Sequence, residues 1–65
     1  MHIVIPARIA EKLQISERQV KNTLQLLDDG ATIPFISRYR KERTGGLDEI
    51  QIADISGEYK RLLDL

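Results

Sequence analysis

The chain has 65 residues, with ten basic and ten acidic side chains, one histidine and no cysteine. That length allows one domain, residues 1–65, which buries only about 60% of its unfolded surface, and the missing thiols exclude disulfides and thiolate metal centres. Zero net charge excludes a globally basic nucleic-acid binder of the kind that composition alone reveals. No apolar run approaches the roughly 18 residues of a membrane span, and the opening "MHIVIPARIAEKL" lacks the pattern of a secretory signal.

Helix punctuation runs along the whole chain. Pro6 suits the first turn of a helix, where its missing N–H is an orphan in any case, and Ile9, Ala10 and Leu13 give that helix a short apolar face. Ser16 is the expected N-cap of a second helix, with Gln19 three residues on to complete a capping box. Val20, Leu24 and Leu27 follow at amphipathic spacing, and Gly30 is the natural left-handed residue to close the helix. Asp28 and Asp29 stand unfavourably near that C-terminus, at a small cost that solvent screens.

Thr32 caps a third helix, with Pro34 in its first turn and Phe35, Ile36 and Tyr39 along one flank. Thr44-Gly45-Gly46 is a turn, since each glycine costs a helix interior about 1 kcal/mol. Asp48 caps the last helix and Glu49 occupies its first turn. There, Ile52, Ile55, Tyr59 and Leu62 form one stripe while Ile50, Ala53 and Leu65 lie opposite. A terminal helix this apolar all round calls for more partners than 65 residues supply. The expectation is a segment of a longer protein, with the exposed side of the last helix a surface for self-association. No stretch alternates long enough for a strand. The predicted fold is all-α: a small bundle of about four helices, the first two in helix-turn-helix-like outline and the last one long.

Charge is polarised along the chain. Residues 1–43 carry eight basic and five acidic side chains, net +3, and residues 44–65 carry two and five, net −3. The densest cationic stretch is Arg38-Tyr39-Arg40-Lys41. At about 100° per residue, Arg38 and Lys41 fall together away from the apolar flank, with Arg40 on its other border. Arg43 is either beyond the helix or snorkelling along it. Arginine suits phosphate because its planar fork donates two parallel hydrogen bonds. Tyr39 reads as a core-edge aromatic, with base stacking as the alternative. The basic residues equally suit a helix's last turn, and Glu42, Asp48 and Glu49 are at hand to neutralise them, so phosphate contact and internal pairing both stand.

The stretch "RIAEKLQISERQVKNTLQLL" has a helix-turn-helix shape with a tight turn at Gln14-Ile15. In a DNA-reading version Glu17, Arg18, Gln19, Lys21 and Asn22 would face base edges. Arg18 and Lys21 are therefore candidate contacts beside Arg38, Tyr39, Arg40 and Lys41. Against this, Gln14 stands where glycine is preferred and Glu17 would repel phosphate. Catalytic signals are missing: His2 lies near a terminus, no serine has an activating partner, and Gly45-Gly46 lacks the Lys-Ser/Thr of a phosphate loop. No enzyme activity, cofactor or metal is expected.

The segment "LLDDGATIPFISRYRKERTGGLDE" closely resembles the N-terminal region of the Tex family, bacterial transcription accessory proteins related to a eukaryotic transcription elongation factor. The resemblance covers essentially the whole chain, including "IAEKLQISERQV". It implies a large, mostly helical, cytoplasmic protein that binds nucleic acid, RNA or DNA, and affects transcription, with the transcription machinery among its partners and no membrane. In that family binding is attributed mainly to a distant C-terminal S1 domain, and a ribonuclease-H-like domain is not expected to be catalytic. What carries over is a helical module that packs on other domains of the same chain. Arg38, Tyr39, Arg40 and Lys41 match the family's motif, in a role that is either binding or architectural.

Overall fold

The computed structural model describes residues 5–63, and among these there is no strand. Helices α1 (Ile5–Leu13), α2 (Glu17–Asp28), α3 (Ile33–Tyr39), α4 (Lys41–Thr44) and α5 (Glu49–Leu63) follow one another with short connections. The all-α expectation holds, with a fifth, one-turn helix where four were expected.

The starts of α2, α3 and α5 are built by their expected caps. Ser16 Oγ accepts from Gln19 N–H at 3.1 Å while Gln19 Oε1 accepts from Ser16 N–H at 3.0 Å, the reciprocal pair that satisfies two orphan donors. Thr32 caps α3 through Phe35 N–H, with proline in its first turn. Asp48 and Gln51 repeat the reciprocal arrangement at α5, at 2.8 and 3.1 Å. Gly30 closes α2 at φ +99°. There Ala31 N–H reaches Leu26 O at 3.1 Å and Gly30 N–H reaches Leu27 O at 3.0 Å, so two terminal carbonyls are satisfied. The same pair of bonds closes α1, from Ile15 to Ala10 and from Gln14 to Glu11. Here the left-handed residue is Gln14, at φ +58°.

The core is aliphatic. Ile9 and Ala10 of α1, Val20 and Leu26 of α2, Ile36 of α3, Leu47, and Ile52 and Ile55 of α5 are buried together. Tyr59 and Leu62 pack against them while Ile50 is 72% exposed, so the two sides of α5 divide as the spacing predicts. Leu65 lies outside the described residues. Full burial of an isoleucine stabilises by about 1.5–3 kcal/mol, against about 0–1 kcal/mol for an exposed ion pair. Apolar packing therefore holds the frame.

The third helix ends sooner than expected. Arg40 adopts φ −127°, ψ 34° and serves both as C-cap of α3 and N-cap of α4. Its N–H still reaches Ile36 O, but its own carbonyl accepts from Arg43 and Thr44 N–H. The chain bends there because α4 turns back onto α2. Thr44 is buried at the contact, where its Oγ1 accepts from Leu47 N–H at 3.3 Å.

Candidate nucleic-acid interface

The basic segment is positioned from below by two amides of α2. Gln19 Nε2 donates to Thr44 O at 2.8 Å, and Asn22 Nδ2 donates to Arg43 O at 2.9 Å. Both carbonyls belong to the last turn of α4, where no intrahelical donor is left for them. On a recognition helix Gln19 and Asn22 would read base edges. Instead their donors are turned inward, because a carboxamide suits a backbone carbonyl as well as a base.

Above this anchor the cations are unpaired. Among the described residues the ion pairs are Lys12–Glu58 at 3.0 Å, Lys21–Glu17 at 3.6 Å and Arg61–Glu58 at 2.9 Å. None includes Arg38, Arg40, Lys41 or Arg43. Of the two alternatives left open for the dense cationic stretch, no ion pair among the described residues makes the internal pairing; the acidic second half meets the basic first half through Lys12 and Glu58 instead. Two cations hydrogen-bonded to one carboxylate, Lys12 foremost and then Arg61, hold Glu58 below the ordinary glutamate value of 4.5.

Arg38, Lys41 and Arg43 are exposed and Arg40 is half-buried. The bend at Arg40 puts Arg38 and Lys41 on different helices, so the helical wheel that grouped them does not extend across the junction. Tyr39 is no core-edge residue: it is 56% exposed and Phe35 39%, while only Ile36 of the expected flank turns into the core. The two rings lie 5.3 Å apart at 47°, four residues apart on one face of α3. The Arg40 guanidinium sits 5.1 Å over the Phe35 ring and donates to Tyr39 O at 3.1 Å.

Sequence reasoning missed Phe35 as part of the site, although its spacing from Tyr39 was the available signal. Beside the Phe35 ring lies an open groove of ≈ 600 Å³ bordered by Leu26, Asp29, Ala31, Phe35, Arg40 and Arg43. Lys21 borders a different groove, of ≈ 990 Å³, with Ile5, Leu24, Leu27, Tyr59 and Leu63. Arg18 is exposed on α2. The six candidate contacts thus form two groups, with Arg38 to Lys41 at the α3–α4 junction and Arg18 and Lys21 on α2.

Chemically, the junction offers cationic donors and aromatic faces. Among the described residues no three His, Cys, Asp or Glu side chains gather as metal ligands, and no helix is long and apolar enough to cross a membrane. His2 lies outside the described residues.

The family model described as the Tex-like protein N-terminal domain matches residues 3–65. The chain is 44% identical over 57 residues to the transcriptional accessory protein Tex of Neisseria gonorrhoeae, covering 88% of this chain and 8% of that protein. It is 54% identical over 48 residues to the protein tex of Bordetella pertussis, covering 74% and 6%. It is also 35% identical over 54 residues to an S1 RNA-binding domain-containing protein of Pongo abelii, covering 83% and 5%. The chain therefore spans less than a tenth of the length of these relatives. No solved structure matches it. A domain model matched over nearly every residue, and relatives that align along the same stretch, place the chain in the family of Tex-like N-terminal domains.

Proposed function

We propose that this domain is a non-catalytic, cytoplasmic interaction module of a transcription accessory protein, making auxiliary contact with RNA or DNA through the α3–α4 junction. One observation carries the reading. Arg38, Arg40, Lys41 and Arg43 lie along the α3–α4 junction without a carboxylate partner among the described residues. Neutralising such a cluster inside the protein would have lowered its self-repulsion, whereas unpaired cations are what a phosphate backbone requires. The relatives' names, one a transcriptional accessory protein and one an S1 RNA-binding domain-containing protein, support the same direction. Arg18 and Lys21 are secondary contacts in this reading, Lys21 the weaker because Glu17 lies against it.

Binding of single-stranded RNA and of duplex DNA by the 65-residue chain, measured across a salt series, tests the proposal. Phosphate contact releases counterions, so the log–log slope should approach about −0.7 per contact for a single strand and about −0.9 for a duplex. Affinity undetectable at about 50 mM salt rejects direct contact.

A second reading draws on the larger apolar groove between α1, α2 and α5: an architectural module that packs against other parts of the same polypeptide. It predicts that replacing Arg38 and Lys41 with alanine lowers the Tm of the longer protein and leaves nucleic-acid affinity unchanged. An unchanged Tm with lost binding would favour the first reading.

A further inference from the structure

Phosphate contact alone does not explain why two aromatic rings stand exposed beside the cations. Phe35 borders a groove whose rim carries Arg40 and Arg43, and the Tyr39 ring lies against Phe35 at 5.3 Å. The Arg40 guanidinium lies 5.1 Å over the Phe35 ring, and the Tyr39 ring is tilted 47° against the same ring, so a cation and two aromatic rings cluster beside the groove. Its walls at Leu26 and Ala31 are apolar. Asp29 also borders the groove, its Oδ1 accepting from Gln25 Nε2 at 3.3 Å. That carboxylate repels phosphate, so a nucleic-acid backbone must follow the arginine rim.

We infer that this groove takes an unpaired stretch of nucleic acid, with a base stacked against the exposed ring of Tyr39 beside Phe35 and the adjoining phosphate on Arg40 and Arg43. The inference rests on the nucleic-acid reading above and deepens it by naming the strand state. Every base has a π-face, and arginine planes and aromatic rings are the platforms on which unpaired bases stack. A duplex hides those faces inside its own stack and presents only phosphates and base edges. It would use the four cations and leave both rings idle.

The decisive experiment compares a single-stranded oligonucleotide of about 12 residues, within the span that one single-strand-binding module covers, with a duplex of the same sequence. Salt is held at about 50 mM, where phosphate contact is strong. Both are titrated against the parent chain and against the double variant Phe35→Leu, Tyr39→Leu. Leucine keeps apolar volume and removes the π-face, and thermal melts report whether the helical frame survives. The expected result is a loss of single-strand affinity of about 5-fold to 100-fold with duplex affinity unchanged. Should the melt fall, Tyr39→Leu alone, at a mostly exposed ring, carries the comparison. Equal binding of both strand states that ignores the ring substitutions overturns the stacking inference and leaves the phosphate reading intact. No binding of either form overturns both. Displacement by polyglutamate as effective as by the single strand reassigns the groove to acidic protein segments and equally overturns the inference.

Discussion

The side-chain amide of Gln19 joins two helix ends: its oxygen accepts from the backbone N–H of Ser16 at 3.0 Å, and its nitrogen donates to the carbonyl of Thr44 at 2.8 Å. One residue thus completes the cap that opens α2 and satisfies the carbonyl that closes α4. The orientation of the cationic segment is consequently tied to the start of α2, 25 residues away in the chain.

Replacing Gln19 with alanine removes both bonds and should cost about 2 kcal/mol, lowering Tm by on the order of 10 °C. Gly45 packs directly on this amide: a Cβ there would lie 2.6 Å from Gln19 Nε2, at a backbone φ of +73°. Gly45→Ala therefore combines a steric clash with a left-handed penalty of about 1–2 kcal/mol. In the Gln19→Ala background only the backbone penalty should remain. A double-mutant cycle by urea unfolding checks this, and additivity within about 0.5 kcal/mol would refute the proposed contact.

The capping residues Ser16, Thr32 and Asp48, the closing Gly30 and the buried stripe of α5 were all legible in the sequence. Each is decided within a few helical turns. The break at Arg40 was not, because it depends on α2 supplying donors to carbonyls 21 and 25 residues distant. For the site, the charge of residues 38–43 was plain, but spacing alone could not divide Ile36 from Phe35 and Tyr39. All three satisfied the apolar period, and only the position of α5 against α3 determines which one is covered. Gln19 and Asn22 were open to two readings for a chemical reason: the same amide suits adenine and a peptide carbonyl.

Two exposed backbone positions should respond to opposite substitutions, both toward greater stability. Gln14 holds φ +58° at the end of α1, where glycine adopts the same conformation without steric cost. Gln14→Gly should stabilise by about 0.5–1 kcal/mol. Gly57 lies inside α5, and nothing stands within 4 Å of the point an added methyl group would occupy. Gly57→Ala should therefore gain about 0.5–1 kcal/mol from reduced unfolded-state entropy. Chemical denaturation of the single variants measures both. A loss at Gln14→Gly would mean that its side chain contributes more than its backbone geometry costs.

Acid should selectively weaken the α1–α5 contact. Glu58 carries the hydrogen bonds of Lys12 and Arg61, which lower its proton affinity in the folded chain. A depressed carboxylate contributes its full stabilisation above its unfolded value, near 4.5, and loses it as pH falls through the lower folded value. Glu58→Gln should therefore be less stable than the parent at neutral pH, with the difference shrinking once pH drops below about 4.5. Melting curves from neutral pH down to about pH 3 follow it, and added salt should narrow the neutral-pH gap because these groups are solvent-accessible. A gap that widens on acidification would contradict the assignment.

The cations of the α3–α4 junction should separate stability from binding. Arg38 and Lys41 have no carboxylate partner among the described residues, so alanine at either should shift unfolding by less than about 0.5 kcal/mol. If each meets one phosphate, each substitution should also reduce the magnitude of the nucleic-acid salt slope by about 1. Arg40 differs, because its guanidinium covers Phe35 and bonds to Tyr39 O. Arg40→Ala should cost about 0.5–1 kcal/mol in stability from the lost cation–π contact in addition to its effect on binding. Arg40→Lys should keep the salt slope while losing the planar stack. Paired melting and salt-titration data on the four variants test this ordering, and a stability loss at Arg38→Ala equal to that at Arg40→Ala would show that the exposed arginine has an internal role.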